Sequence, residues 1–162
     1  MTVLVAYASK HGATEGIATF IAQRLREAGK DAEARRAEDV TDVTGVEAVV
    51  LGSAVYAGNW MKEATEVAER HGPALEGVPV WLFSSGPLGE EVKDGMEQIR
   101  QLPELRDLLH PKDQRIFFGA LDKEKLGFGE RMIMKAVKAP EGDFRNWDDI
   151  SAWAEEIVAQ LG

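Results

Sequence analysis

The sequence predicts a doubly wound α/β fold, in which helices cover both faces of a five-stranded parallel sheet with strand order 2-1-3-4-5. Short, almost continuously apolar runs indicate strands that are buried on both faces, as in a parallel sheet. Amphipathic helical segments alternate with these runs, which is the pattern of right-handed βαβ units. The chain has 162 residues and no repeat or linker, so we expect one domain over residues 1–162.

Five segments are predicted to be strands. The first, Thr2 to Ala8, and the third, Glu47 to Ser53, are clear apolar runs. Asp31 to Arg36 is a weaker second strand, consistent with the edge of a sheet. The fourth and fifth strands are Val78 to Ser84 and Gln114 to Leu121.

Helices are predicted between the strands. The first begins at Thr14, repeats apolar residues at helical spacing and ends at Gly29, since a glycine commonly terminates a helix. Three further helices are Met61 to Arg70, Glu90 to Leu109 with an interruption near Pro103, and Asn146 or Trp147 to Leu161.

Composition and charge limit the classes of function. Hydrophobic residues make up 44% and charged residues 29% of the chain, as in ordinary globular proteins. The absence of cysteine excludes thiolate metal sites and cysteine redox chemistry, so any redox function needs a cofactor. A net charge of −9 argues against binding to nucleic acid. The N-terminal segment is predicted to be a strand rather than a signal peptide, and we expect a cytoplasmic protein.

Three loops are predicted to carry the function. Ligands of doubly wound sheets bind beyond the carboxyl ends of the strands, where the strand order reverses. In the predicted order this point lies between the first and third strands. The loops to consider follow strands one, three and four, and they are Ser9 to Thr14, Ala54 to Trp60, and Ser85 to Gly89.

The first loop, SKHGAT, has the chemistry of a phosphate cradle. Ser9 and Thr14 offer hydroxyls, Gly12 permits close approach of the backbone, and the following helix start presents N–H groups. The alternative is that Thr14 merely caps the helix and Gly12 makes the turn. Lys10 and His11 could face the phosphate or solvent, since the cradle works through hydroxyls and amides.

The second and third loops have the composition expected around a planar ring. Tyr56 and Trp60 flank Gly58 after the third strand, so an aromatic side chain could stack on the ring. Alternatively, Trp60 and Met61 pack under the following helix. The third loop, SSGPLG, would let backbone groups hydrogen-bond the ring edge, and it has no aromatic residue to cover the outer face.

Three stretches and an insertion resemble a known family. The stretches are VLVAYASKHGATEGIA at Val3 to Ala18, VVLGSAVYAGNW at Val49 to Trp60, and GDFRNWDDISAWAEEI at Gly142 to Ile157. Together they resemble the flavodoxin superfamily, and more closely its branch related to menaquinone-dependent protoporphyrinogen dehydrogenase. The segment from Phe117 to Gly142 resembles the long insertion after the fifth strand in that branch.

The resemblance implies one bound FMN, with its phosphate in the first loop and its isoalloxazine ring between the second and third. No residue is assigned as a catalytic acid or base, and no metal site is predicted. The cofactor-binding residues that the resemblance implies are Ser9, Lys10, His11, Gly12, Ala13, Thr14, Ala54, Val55, Tyr56, Ala57, Gly58, Ser85, Gly86, Pro87, Leu88 and Gly89.

A basic amphipathic stretch lies within the insertion of this acidic chain. Such a segment can lie on an anionic membrane or contact a partner, which would suit access to a membrane quinone at the inner face of the membrane. The alternative is a short helix packed on the domain with solvated lysines, because short helices need tertiary packing. The basic residues are Lys123, Lys125, Arg131, Lys135 and Lys138.

Two functions follow from the resemblance. The first is an FMN-dependent oxidoreductase similar to menaquinone-dependent protoporphyrinogen IX dehydrogenase, with a quinone or a redox protein as partner. The alternative is a flavodoxin-type electron carrier, whose acidic surface would steer it to basic redox partners. A phospho-acceptor receiver domain is not favoured, because Ser53 and Ser9 stand where such a domain needs acidic residues.

Overall fold

The computed structural model describes residues 2–9, 12–56, 59–85, 99–117, 120–121, 142–143 and 147–161. Single turns of 3-10 helix cover Ala37–Asp39 and Pro73–Leu75. The strands and helices are β1 (Thr2–Ala8), α1 (Ala13–Glu27), β2 (Ala32–Arg36), β3 (Val46–Tyr56), β4 (Asn59–Trp60), α2 (Lys62–His71), β5 (Val80–Ser85), α3 (Leu102–Leu109), β6 (Asp113–Phe117), β7 (Ala120–Leu121), β8 (Gly142–Asp143) and α4 (Trp147–Leu161).

Parallel strands form the main sheet in the order β2-β1-β3-β5-β6. The short β4 pairs with β3 in antiparallel orientation, so β5 and β6 are the fourth and fifth parallel strands. The predicted order 2-1-3-4-5 is therefore confirmed, and the weak strand β2 lies at an edge as expected. β7 and β8 pair with each other in a separate antiparallel ladder.

Helices cover both faces of the sheet, because side chains of the inner strands alternate between two apolar clusters. In β1, Val3 and Val5 point to the face covered by α1 and α4, whereas Leu4 and Ala6 point to the face covered by α2 and α3. Both clusters are almost fully shielded from solvent, so the inner strands are buried on both sides, as their apolar runs predict.

Helix α4 is held to the start of β6 by a polar network at the margin of one cluster. Asp113 Oδ2 accepts hydrogen bonds from Trp153 Nε1 at 3.1 Å and from Arg115 Nε at 3.0 Å. Arg115 also donates to Glu156 Oε2 at 3.0 Å. The indole of Trp153 packs edge-on against Phe83, so the network fixes an aromatic residue of the core.

The structure corrects two predicted boundaries and agrees with a third. β3 continues through residues 54–56, which were expected to form a loop, because the chain turns back and pairs with β4. The predicted fifth strand is divided: β6 ends at Phe117, and Ala120–Leu121 pairs instead with Gly142–Asp143. The predicted interruption near Pro103 agrees with the structure, because residues 99–101 are not helical and α3 begins at Leu102. Pro103 lies in the first turn of α3, where its missing N–H would have no helical partner.

The described residues do not include the whole of the predicted third helix. The predicted helix before Pro103 falls mostly on residues 86–98, which lie outside the described residues. Among the helices that are described, none is long and apolar enough to cross a membrane.

Candidate functional site

The carboxyl ends of β1 and β5 lie level with residues 53–54 of the longer strand β3. Ala8 pairs with Ser53, and Ser53 pairs in turn with Ser84. Neighbouring strands lie about 4.8 Å apart, so Ser9, Ala54 and Ser85, where the three predicted loops begin, lie within about 10 Å of one another. The sheet therefore brings the starts of the three predicted ligand loops to one place, at the reversal of strand order.

The first loop enters α1 through a left-handed glycine. Gly12 has a φ of +91°, which strains any residue with a side chain, although a Cβ there would meet no atom within 4 Å. The Gly12 N–H donates to Ser9 Oγ at 3.0 Å, which leaves the hydroxyl proton of Ser9 able to donate to another acceptor. Gly12 is also the cap residue of α1, and it supplies no capping side chain.

Thr14 lies inside the helix rather than at its cap. It is the second residue of α1 and only 1% exposed. The alternative that Thr14 merely caps the helix is therefore wrong. Because no side chain caps this helix start, the N–H groups of Ala13 and Thr14 are the kind of donors that bind anions.

A polar cluster beside this loop compensates the charge of Glu15. Tyr7 donates from its hydroxyl to Glu15 Oε1 at 2.9 Å, and an Arg36 guanidinium nitrogen lies 3.8 Å from the same oxygen. Burial, and then the hydrogen bond to the Glu15 carboxylate, raise the pKa of Tyr7 above its ordinary value, so the phenol stays protonated and keeps donating. The cluster fixes the first turn of α1 to the ends of β1 and β2.

The second loop is a hairpin rather than an irregular loop. Its register pairs Val55 with Trp60 and Tyr56 with Asn59, which leaves residues 57–58 between the paired positions. Trp60 is 4% exposed, and its Nε1 donates to Ser84 Oγ at 2.8 Å. Of the two interpretations of Trp60, the structure therefore supports packing in the core over stacking on a ligand.

The end of β5 carries an unsatisfied buried hydroxyl. Ser85 is 1% exposed and pairs in register with Ala54 and Phe117. Among the described residues, Ser85 Oγ is the buried side-chain oxygen or nitrogen that finds no hydrogen-bond partner. Such a group destabilises the fold by about 1–3 kcal/mol unless something else satisfies it. A polar ligand atom at this edge of the sheet would do so.

The structure thus describes Ser9, Gly12, Ala13, Thr14, Ala54, Val55 and Ser85 among the implied cofactor-binding residues, and the backbone pairing of Tyr56. It also places Gln101, which the sequence gave no reason to single out, against the hairpin, where its side chain bonds both Trp60 and Asn59. The remaining residues lie outside the described part of the chain, namely Lys10, His11, Ala57, Gly58, Gly86, Pro87, Leu88, Gly89 and the basic residues of 123–138.

Within the described residues, no group of three or more histidine, aspartate or glutamate side chains is arranged to hold a metal ion. The donors collected at the carboxyl edge are instead hydroxyls and backbone amides. That set is suited to the oxygens of a phosphate or to the polar edge of a ring rather than to a cation.

Comparison with known proteins points to one family. The family model described as flavodoxin domain matches residues 4–148. Protoporphyrinogen IX dehydrogenase (quinone) of Escherichia coli strain K12 is 19% identical over 172 residues, which cover 98% of this chain and 95% of that protein.

Solved structures share the fold at low sequence identity. A flavodoxin of Streptococcus pneumonia TIGR4 has a TM-score of 0.67 at 15% identity, and the match covers 99% of each chain. The rubredoxin oxygen:oxidoreductase of Desulfovibrio gigas has a TM-score of 0.64 at 15% identity, over 99% of this chain but 36% of that protein. The fold therefore occurs both as a whole protein and as part of a larger one.

Proposed function

Because the chain belongs to the flavodoxin domain family, we propose that it binds one FMN at the carboxyl edge of β1, β3 and β5 and acts as an FMN-dependent oxidoreductase. We propose protoporphyrinogen IX or a related reduced tetrapyrrole as electron donor, and a quinone as acceptor. When bound, FMN would supply the hydrogen- and electron-transfer chemistry, and the protein would supply orientation and electrostatics.

The first loop would hold the phosphate. The left-handed Gly12 lets the backbone turn tightly into α1, and the uncapped N–H groups of Ala13 and Thr14 would donate to phosphate oxygens. Ser9 would add its hydroxyl proton while accepting from Gly12. A phosphate dianion here would be repelled by Glu15 in the same helical turn, and the bonds from Tyr7 and Arg36 reduce that repulsion.

The single observation that carries the proposal is the buried hydroxyl of Ser85, which finds no hydrogen-bond partner among the described residues and lies at the end of β5, beside the proposed ring site. Its pairing partner Ala54 opens the hairpin on the neighbouring strand, so the two ring-side segments begin side by side. A polar atom at the edge of the isoalloxazine ring would satisfy Ser85, and the residues described at this edge fit FMN in this respect.

The dehydrogenase function is favoured by the match over nearly the full length of both chains to a quinone-dependent dehydrogenase. The third loop also carries no aromatic side chain to cover the outer face of the ring, so an organic substrate would have access. The alternative, a flavodoxin-type electron carrier, is favoured by the equally complete match to a flavodoxin and by the net charge of −9.

An anaerobic assay distinguishes the two functions. The FMN-loaded protein is mixed with protoporphyrinogen IX and menaquinone, and porphyrin formation is followed by its fluorescence. In parallel, the same protein is reduced by a flavodoxin reductase and tested for electron transfer to a second redox protein. Turnover of the tetrapyrrole that depends on both FMN and quinone supports the dehydrogenase. Transfer in the second assay with no tetrapyrrole turnover supports the carrier and overturns the dehydrogenase.

A further inference from the structure

The residue just before α3, Gln101, forms hydrogen bonds to the hairpin that borders the proposed ring site. We propose that Gln101 is a positioning residue, which holds the hairpin in place beside the end of β5 and so sets the affinity and redox potential of the flavin. This inference rests on the proposed binding of FMN at the carboxyl edge of the sheet.

Gln101 is itself held rigidly by its neighbours. Ile99 and Leu102 on either side are 2% and 1% exposed and belong to the apolar cluster under α2 and α3. The carbonyl of Gln101 accepts from the N–H of Leu105 at 3.0 Å, which is the first bond of α3. A side chain that leaves such a fixed backbone has little freedom to lose when it forms hydrogen bonds.

The amide of Gln101 contacts the hairpin twice. Its Oε1 accepts from the backbone N–H of Trp60 at 2.9 Å, and its Nε2 donates to Asn59 Oδ1 at 3.0 Å. Because a backbone N–H can only donate, the bond from Trp60 fixes which end of the amide is the oxygen. Both contacts lie on β4, directly after the two residues at the tip of the hairpin.

Trp60 extends this connection to β5. Its indole N–H donates to Ser84 Oγ, while its backbone N–H donates to Gln101. Ser84 is the last residue but one of β5, and Gln101 immediately precedes α3. Trp60 of the second loop is therefore bonded both to the end of β5 and to the residue that precedes α3. Loss of the bonds from Gln101 would remove one of the two contacts that hold Trp60, and with it β4, beside the end of β5.

The test compares Gln101→Met with the unaltered chain. Methionine keeps the length and nearly the volume of glutamine but forms neither hydrogen bond, and it leaves the N–H of Trp60 unpaired. We expect the dissociation constants of FMN and of riboflavin to rise by the same factor, about tenfold, because the loss concerns the ring and not the phosphate. The midpoint potential of the bound flavin shifts as well, because the variant weakens the binding of the two redox states unequally. Each tenfold difference between the two losses in affinity corresponds to about 59 mV for a one-electron step.

Two further variants keep the test sharp. Gln101→Glu retains an acceptor for the Trp60 N–H and loses the donor to Asn59, so we expect an intermediate rise in both dissociation constants. Gln23→Met is the matched control: it also removes one glutamine side-chain bond, on the exposed surface of α1, and it should leave flavin binding and potential unchanged. Far-UV circular dichroism and the thermal midpoint establish that each variant is folded, and amide hydrogen exchange at Trp60 reports the loss of its bond without any ligand.

The outcomes distinguish failure of the proposed FMN binding from failure of the role of Gln101. Failure of the unaltered chain to bind FMN or riboflavin overturns the proposed function and this inference with it. The inference alone is overturned if the unaltered chain binds flavin but the folded Gln101→Met variant has affinities within twofold of those of the unaltered chain and the same potential. A rise for FMN but not for riboflavin also overturns it, because the effect would then act through the phosphate.

Discussion

Gly52, in the middle of the sheet beneath the proposed site, should not tolerate even a methyl group. A Cβ on Gly52 would lie 2.0 Å from Cζ and 2.1 Å from Cε1 of Phe83, its register partner on β5. The Phe83 ring is fully buried and packs against Phe117 and Trp153, with centroids 6.2 Å away in each case. The ring would have to move by more than 1 Å into occupied space, and close-packed cores resist such shifts.

Overpacking of this kind destabilises a core by about 1–3 kcal/mol, so we expect the Gly52→Ala variant to lose about 3 kcal/mol, at the upper end of that range. For a chain of this size the loss corresponds to about 6–12 °C in the thermal midpoint. Urea unfolding of four proteins measures it: the unaltered chain, Gly52→Ala, Phe83→Leu and the double variant. In the Phe83→Leu background the same substitution should cost less than about 1 kcal/mol, because the ring it strikes is gone.

A loss below about 0.5 kcal/mol for Gly52→Ala, or an equal loss in both backgrounds, would refute this reasoning. The first result would mean that the ring can move at little cost. The second would mean that the loss at Gly52 does not arise from Phe83.

Three further predictions concern the site, the pH dependence and the insertion. Gly12→Ala should lower the affinity for FMN by about tenfold and the stability by about 1–2 kcal/mol. Gly45→Ala, a matched control with a φ of +79°, should lower the stability by a similar amount and leave FMN binding unchanged. Calorimetry measures the affinity, and urea unfolding measures the stability. Burial alone would raise the pKa of Asp113, but the hydrogen bonds that its carboxylate accepts outweigh burial and lower the pKa below 3.8. The unaltered chain should therefore be more stable than Asp113→Asn at pH 7, and this advantage should disappear as the pH falls below about 4 and the carboxylate is protonated. Deletion of residues 123–138 should impair quinone turnover or binding to anionic vesicles more than FMN binding, and an equal loss of both would favour a packing role.

The parallel sheet could be predicted because its signal is local. The runs of apolar residues in β1, β3 and β5 are buried on both faces, and such burial leaves no polar positions to confuse the pattern. The weaker β2 was recognisable as an edge strand because charged residues interrupt its apolar positions. Two of them, Glu33 and Arg35, pair with each other at the surface. The order of the strands then follows from the general rules of doubly wound sheets.

The details of the second loop could not be predicted, because they depend on contacts distant in sequence. Nothing in the residues from Ala54 to Trp60 indicates that β3 continues into a hairpin. Trp60 suits a stacking role equally well until its indole is seen to bond Ser84, which lies 24 residues later in the chain. Gln101 lies 41 residues from Trp60 in a polar stretch, and a glutamine there gives no sign of its partners.

The tight turn after β1 could be predicted from the sequence, but the surroundings of that turn could not. The left-handed Gly12 and its bond to Ser9 agree with the predicted tight turn into a helix. The burial of Thr14 and the compensation of Glu15 by Tyr7 and Arg36 could not be predicted, because the burial depends on the packing of the folded chain and the compensation depends on the register between β1 and β2.

Titration of the purified, flavin-free protein with FMN tests the central claim most directly. Bound flavin is followed by its absorbance and by quenching of its fluorescence, with Ser85→Ala and Gly12→Ala measured alongside. We predict one FMN per chain, with weaker binding in both variants. Absence of binding, or binding that neither variant affects, would contradict an FMN site at the carboxyl ends of β1, β3 and β5.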